Sequence, residues 1–148
     1  MSYLVYKKVK RAGLAGNKFQ SVIKYVLRAL GRSEASLSLH LIGDERMRRL
    51  NRAYRGYNQT TDVLSFAMKK GAGFEFGEDD LGDIFISVPQ IRRQAKALGQ
   101  PYQEELLRLL IHGLLHLVGY DHVNKKDAAI MLPFQEQLLQ QVYARSLV

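Results

Sequence analysis

Apolar and polar positions change period several times along this chain of 148 residues. Tyr3 to Val9 mixes β-branched and aromatic residues with lysine, the pattern of an edge-like first strand. Gly13 and Gly16 mark a turn, and Asn17 stands where a helix N-cap is expected. Phe19, Val22, Ile23, Val26, Leu27 and Leu30 then recur at helical spacing up to Gly31, predicting an amphipathic helix with its stripe in the core. Leu37, Leu39 and Leu41 alternate with Ser38 and His40, the period of a half-buried strand, which puts His40 on the face away from the leucines.

The second half of the pattern repeats this mixture. Gly43-Asp44-Glu45 opens a helix that is acidic first and basic later, through Arg46, Arg48, Arg49 and Arg52, as the helix dipole favours. Arg55 follows in a polar stretch before a strand over Val63 to Met68. Lys69 to Asp80, with three glycines and an acidic cluster, is expected to be a mobile loop leading into a strand over Leu81 to Val88. Pro89 suits the first turn of a helix reaching Leu98, and Gly99-Gln100-Pro101 breaks it. A helix from about Tyr102 and a final one carrying Ile130, Phe134, Leu138 and Val142 complete the chain, with Pro133 expected to kink or restart the last. Strands interleaved with helices predict an α/β (α+β) fold, one small sheet packed with about five helices. The short connection between the last two strands permits a hairpin, so the sheet should be mixed.

Length and composition narrow the class. Residues 1–148 are expected to form a single domain with room for a real core. With no cysteine, any metal must be held by nitrogen and oxygen. Met1 to Arg11 lacks an apolar core of signal-peptide length, and no apolar run approaches the roughly 18 residues of a membrane span, so a soluble cytoplasmic protein is expected. The net charge of +8 is uneven: residues 1–70 carry 15 basic and 4 acidic residues, while residues 71–148 carry 7 and 10. A surplus of that size on one half suits a polyanion such as RNA.

The candidate chemistry lies in His112 to His122, H-G-L-L-H-L-V-G-Y-D-H, which holds three of the four histidines. His112 and His116 are four apart, so on a helix both imidazoles leave the same face. Gly119 can end that helix and turn the chain back, bringing His122 to the same point. Three imidazoles leave the fourth position of a tetrahedral zinc site open, which is the catalytic arrangement. The spacing His-x3-His-x2-Gly-x2-His is that of the metzincin proteases. Gly113 stands where those enzymes carry their glutamate base, so the ligands are present and the protease base is missing.

The same segment resembles the signature of the YbeY family, metal-dependent endoribonucleases of ribosomal RNA maturation. Leu50-Asn51 with Tyr54-Arg55 running into Thr61-Asp62-Val63-Leu64-Ser65-Phe66, and Leu81-Gly82-Asp83-Ile84, are similar to that family's other segments in order and spacing. The chain departs from the family at Thr60 and Ala67, where proline is usual, and at Val123, where an acidic residue is frequent. The resemblance implies a single-strand-specific endoribonuclease of ribosomal RNA maturation and ribosome quality control. Its partners would be ribosomal RNA and ribosomal particles, with neither DNA nor a membrane. One Zn2+, or another divalent ion such as Ni2+, would sit on His112, His116 and His122. Arg55, His112 and His116 would be the catalytic residues, Arg55 gripping phosphate. Asp121 would either orient an imidazole or cap the turn after Gly119, and no general base is evident. A metallopeptidase and a non-enzymatic, metal-stabilised ribosome-assembly factor are the competing readings.

Overall fold

The computed structural model describes residues 3–68 and 79–148. Its elements run β1 (Tyr3–Lys7), α1 (Gly16–Ala29), β2 (Ala35–Ile42), α2 (Asp44–Arg55), β3 (Val63–Ala67), β4 (Asp79–Ser87), α3 (Val88–Leu98), α4 (Tyr102–Leu117) and α5 (Lys125–Ala144). The strands form one sheet in the order β1-β2-β4-β3. β1, β2 and β4 are parallel, and β3 runs antiparallel to β4. The sheet is therefore mixed, as the short β3–β4 connection predicts, and the parallel pairs take their crossovers from α1 and α2.

Alternation in β2 divides the molecule. Ala35, Leu37, Leu39 and Leu41 face the main core, where Ile84 and Ile86 of β4 meet the stripes of α1, α4 and α5. Ile42 turns to the opposite face and joins Met47 of α2 and Leu64 of β3 in a smaller cluster. α4 is the most enclosed helix, with Leu106, Leu107, Leu110, Ile111, Leu114 and Leu115 fully buried. It lies between the sheet and α5, and Arg108 clasps it to α5 through Glu136, with Nε 2.9 Å from Oε2. That packing sets the histidine helix beside β3.

Several local expectations shift. α1 begins at Gly16 and its N-cap is Ala15, so Asn17 lies inside the first turn and its carbonyl accepts from Ser21 Oγ. α2 runs on through Arg55, and Gly56 ends it with φ of +79°. Arg55 is thus the last residue of the helix. α5 continues past Pro133 without restarting. Its buried residues are Met131, Gln135, Leu138, Leu139 and Val142, with Phe134 packed against the core, while Ile130 is exposed. The expected loop before β4 falls at residues 69–78, outside the described residues. Asp79 and Asp80 belong to β4, and the Asp79 carboxylate accepts from Arg32 at 2.7 and 2.8 Å. No helix of the described residues is long and apolar enough to cross a membrane.

Candidate metal centre

α4 carries His112 and His116 on the side facing β3 and α5. After Leu117 the chain turns at Gly119, whose φ of +107° suits glycine and whose N–H donates to the His116 carbonyl. The Tyr120 N–H returns to the Leu115 carbonyl, which fixes the turn and swings His122 back over the helix end. Ring centroids of the three histidines lie 4.6 to 5.1 Å apart. Each offers one ring nitrogen within 4.8 Å of the others.

His112 Nε2 and His116 Nε2 are 3.0 Å apart. Two donors on a tetrahedral zinc with Zn–N of about 2.0–2.1 Å stand about 3.3 Å apart, so the pair suits a shared ion. The donor set is all imidazole nitrogen, as a zinc-type ion accepts. The outer nitrogen of His112, Nδ1, donates to Gln135 Oε1 at 2.7 Å, and His116 makes a backbone hydrogen bond with Tyr120. Burial pushes the His112 imidazole below its ordinary range, and the Gln135 bond only partly offsets this. His116 is lowered by burial and then by the neighbouring His112 and His122. Both shifts favour the neutral imidazole, the form that donates a lone pair to a metal.

The cluster opens into a cleft of about 690 Å³ between the β3 edge and the α4 turn. Arg55 lines it from the end of α2, exposed and with its guanidinium 5.6 Å from the Tyr57 ring centre. Asp62 and Asp121 bring carboxylates to the same cleft. Asp62 accepts from the Val63 N–H at 2.7 Å, and Asp121 from the His122 N–H at 2.7 Å. The Asp121 carboxylate thus meets the His122 backbone, and its charge also acts on the His116 imidazole.

Position 113 explains the missing protease base. A Cβ there would lie 3.1 Å from both Ile84 Cγ2 and Ser65 Oγ. Any side chain there would press on Ile84 and Ser65, so glycine lets α4 approach the sheet closely. Gly82 marks a similar approach, because with φ of +120° a Cβ would meet the Phe66 carbonyl oxygen at 2.0 Å.

A family model described as Endoribonuclease YbeY matches residues 6–143. The chain belongs to the endoribonuclease YbeY family. A protein of that name from Sulfurihydrogenibium is 37% identical over 136 residues, covering 91% of this chain and 88% of its own length. One from Desulfitobacterium hafniense is 39% identical over 138 residues, covering 90% and 88%. A Thermotoga maritima protein known from its solution structure shares the fold, with a TM-score of 0.70 at 22% identity, covering 97% of this chain and 90% of its own.

For this YbeY family member, then, the structure gathers His112, His116, His122 and Arg55 on one cleft. His40 stays away from it, with Nε2 2.9 Å from Asp83 Oδ1. Sequence reading did not single out Asp62, Ser65 or Gln135. Gln135 left a signal: a polar residue in the stripe 131, 135, 138, 142, nearly buried at 6% exposure. Asp62 left none beyond its place in the T-D-V-L-S-F run.

Proposed function

We propose that this protein is a metal-dependent endoribonuclease specific for single strands, built as one domain and acting in the cytoplasm on ribosomal RNA and ribosomal particles during maturation and quality control. The observation that carries the reading is the convergence of three imidazoles on one cleft with the Arg55 guanidinium, which has no ion-pair partner among the described residues, in a chain whose family is described as an endoribonuclease. His112, His116 and His122 would hold one divalent ion, zinc or nickel. When bound, such an ion acidifies water and acts as Lewis acid on a phosphoryl oxygen. Arg55 binds the phosphate with its planar fork and opposes the charge that develops there. Asp62 and Asp121 stand where a carboxylate can accept a proton. His112 and His116 are half-buried, so the phosphodiester must enter the cleft. A strand with splayed bases can do so, whereas a paired A-form helix resists it.

The metallopeptidase reading is disfavoured by Gly113, which stands closely packed where those enzymes carry their base. The test is single-turnover cleavage of an oligoribonucleotide alone, the same strand in a duplex, and an unstructured polypeptide. Cleavage of the single strand in preference to the duplex, with the polypeptide intact, is expected. Hydrolysis of the polypeptide with the RNA left whole would overturn the proposal.

A further inference from the structure

Behind His112 runs a chain of polar contacts that the proposed chemistry does not use. Gln135 sits in the buried stripe of α5, where an apolar residue would pack as well. Its Oε1 lies 2.7 Å from His112 Nδ1, and its Nε2 lies 3.3 Å from Glu136 Oε2. Glu136 is held in turn by Arg108 of α4, with Nε 2.9 Å from Oε2 and Nη2 3.0 Å from Oε1. Arg108 also reaches Glu104 at 3.1 Å, so the guanidinium is anchored on its own helix.

Each link constrains the next through donor and acceptor identity. The Glu136 carboxylate is accepting from Arg108, so it takes the amide nitrogen of Gln135 and not its oxygen. The amide oxygen therefore faces His112, and His112 Nδ1 must carry the hydrogen. That leaves Nε2 of the neutral ring bare, and Nε2 is the atom facing His116 and the cluster. We propose that Gln135 is the positioning residue of the metal centre: oriented by Glu136 and Arg108, it fixes His112 as the tautomer that presents its Nε2 lone pair to the ion. Hydrogen-bonded partners behind metal-bound histidines commonly change affinity by about 10–100-fold when removed. The inference rests on the metal-site reading of the three histidines and gives the α4–α5 clasp a role in it.

The test compares wild type with Gln135→Met, Gln135→Glu and Glu136→Gln. Gln135→Met keeps the volume and removes the acceptor; Gln135→Glu keeps the acceptor. Two readouts are used: the His112 tautomer from 15N spectra of metal-free protein at neutral pH, and zinc affinity by competition with a chromophoric chelator. Wild type should show the Nδ1–H tautomer, and Gln135→Glu, which keeps the acceptor but loses the N–H toward Glu136, should keep that tautomer. Gln135→Met should show mixed tautomers and affinity weaker by about tenfold or more. Glu136→Gln lets the Gln135 amide turn over, so it should move in the same direction by less, and it keeps the test decisive where Gln135→Met does not fold. Wild-type tautomer and affinity in Gln135→Met, or in Glu136→Gln where Gln135→Met does not fold, would overturn the inference alone. So would Gln135→Glu with the mixed tautomers of Gln135→Met. A wild-type protein with no zinc affinity overturns the metal-site reading itself.

Discussion

His40 and the group at 112, 116 and 122 are the same side chain in two settings. His40 stacks between Tyr6 and Phe85, with centroids 4.9 and 4.2 Å away, and one ring nitrogen donates to Asp83. Its faces and that nitrogen are taken by neighbours on the sheet. In the other group the outer nitrogens of His112 and His116 are held by Gln135 and Tyr120, while the inner nitrogens meet each other with no carboxylate between them. α2 repeats the contrast in arginine. Arg48 is engaged by Glu45 at 2.5 Å and Asn58 at 2.6 Å, whereas Arg55 has no ion-pair partner among the described residues and lines the cleft. Side chains bound up in the fold are separable from those presented for chemistry by asking where each polar atom goes.

Replacement should break this contrast most visibly. His112→Ala/His116→Ala is expected to lose most of its bound metal and to reduce RNA cleavage to background, while His40→Phe keeps about one metal per chain. Metal analysis of the two variants checks this.

The arginine pair comes next. Arg55→Ala should slow single-turnover cleavage about a hundredfold, on the order of 3 kcal/mol of barrier, with folding stability moved by no more than about 0.5 kcal/mol. Arg55→Lys should recover only part of the rate, since a lysine cannot grip in bidentate fashion. Arg48→Ala removes an exposed ion pair and should leave the rate unchanged. Equal rates for Arg55→Ala and Arg48→Ala would erase the distinction.

A smaller effect is expected from pH on metal-free protein. Burial depresses the His112 and His116 imidazoles, so near their ordinary value of about 6.5 the folded chain binds fewer protons than the unfolded one. Stability should then be fully present above that pH and fall as pH drops below it. Melting curves from pH 8 to 5 check the sign. Replacing both histidines by glutamine should flatten the slope. The smallest effect is expected from His40→Phe, which keeps the ring stack and frees a partly exposed Asp83. Denaturant unfolding should register a loss of about 1 kcal/mol or less.

What could be read from the chain follows from which interactions are local. The periodicities of α1 and β2, the i, i+4 histidines and the glycine turn are all short-range, and each appears as expected in the structure. His40 was legible as facing away from the leucines, because strand alternation alone decides it. Its partners Tyr6 and Phe85 come from strands paired across the sheet, and no local pattern announces them. Of the two effects expected of Pro133, a restart does not occur, since α5 runs through it as one helix packed along its buried face. In α5 the expected Leu138 and Val142 are buried and Phe134 packs on the core, but Ile130 is exposed, and hydrophobicity alone passes over the buried Gln135. Its burial makes sense only beside His112, 23 residues away.

The central claim is that the three histidines hold the ion on which RNA cleavage depends. The direct measurement is transition-metal analysis of purified protein, with cleavage of single-stranded ribosomal RNA followed as purified, after chelation, and after adding back zinc, nickel or cobalt. About one metal per chain, loss of cleavage on chelation and its return with metal are expected. Full-rate cleavage by metal-free protein, or a chain that stays metal-free after reconstitution, would contradict that claim.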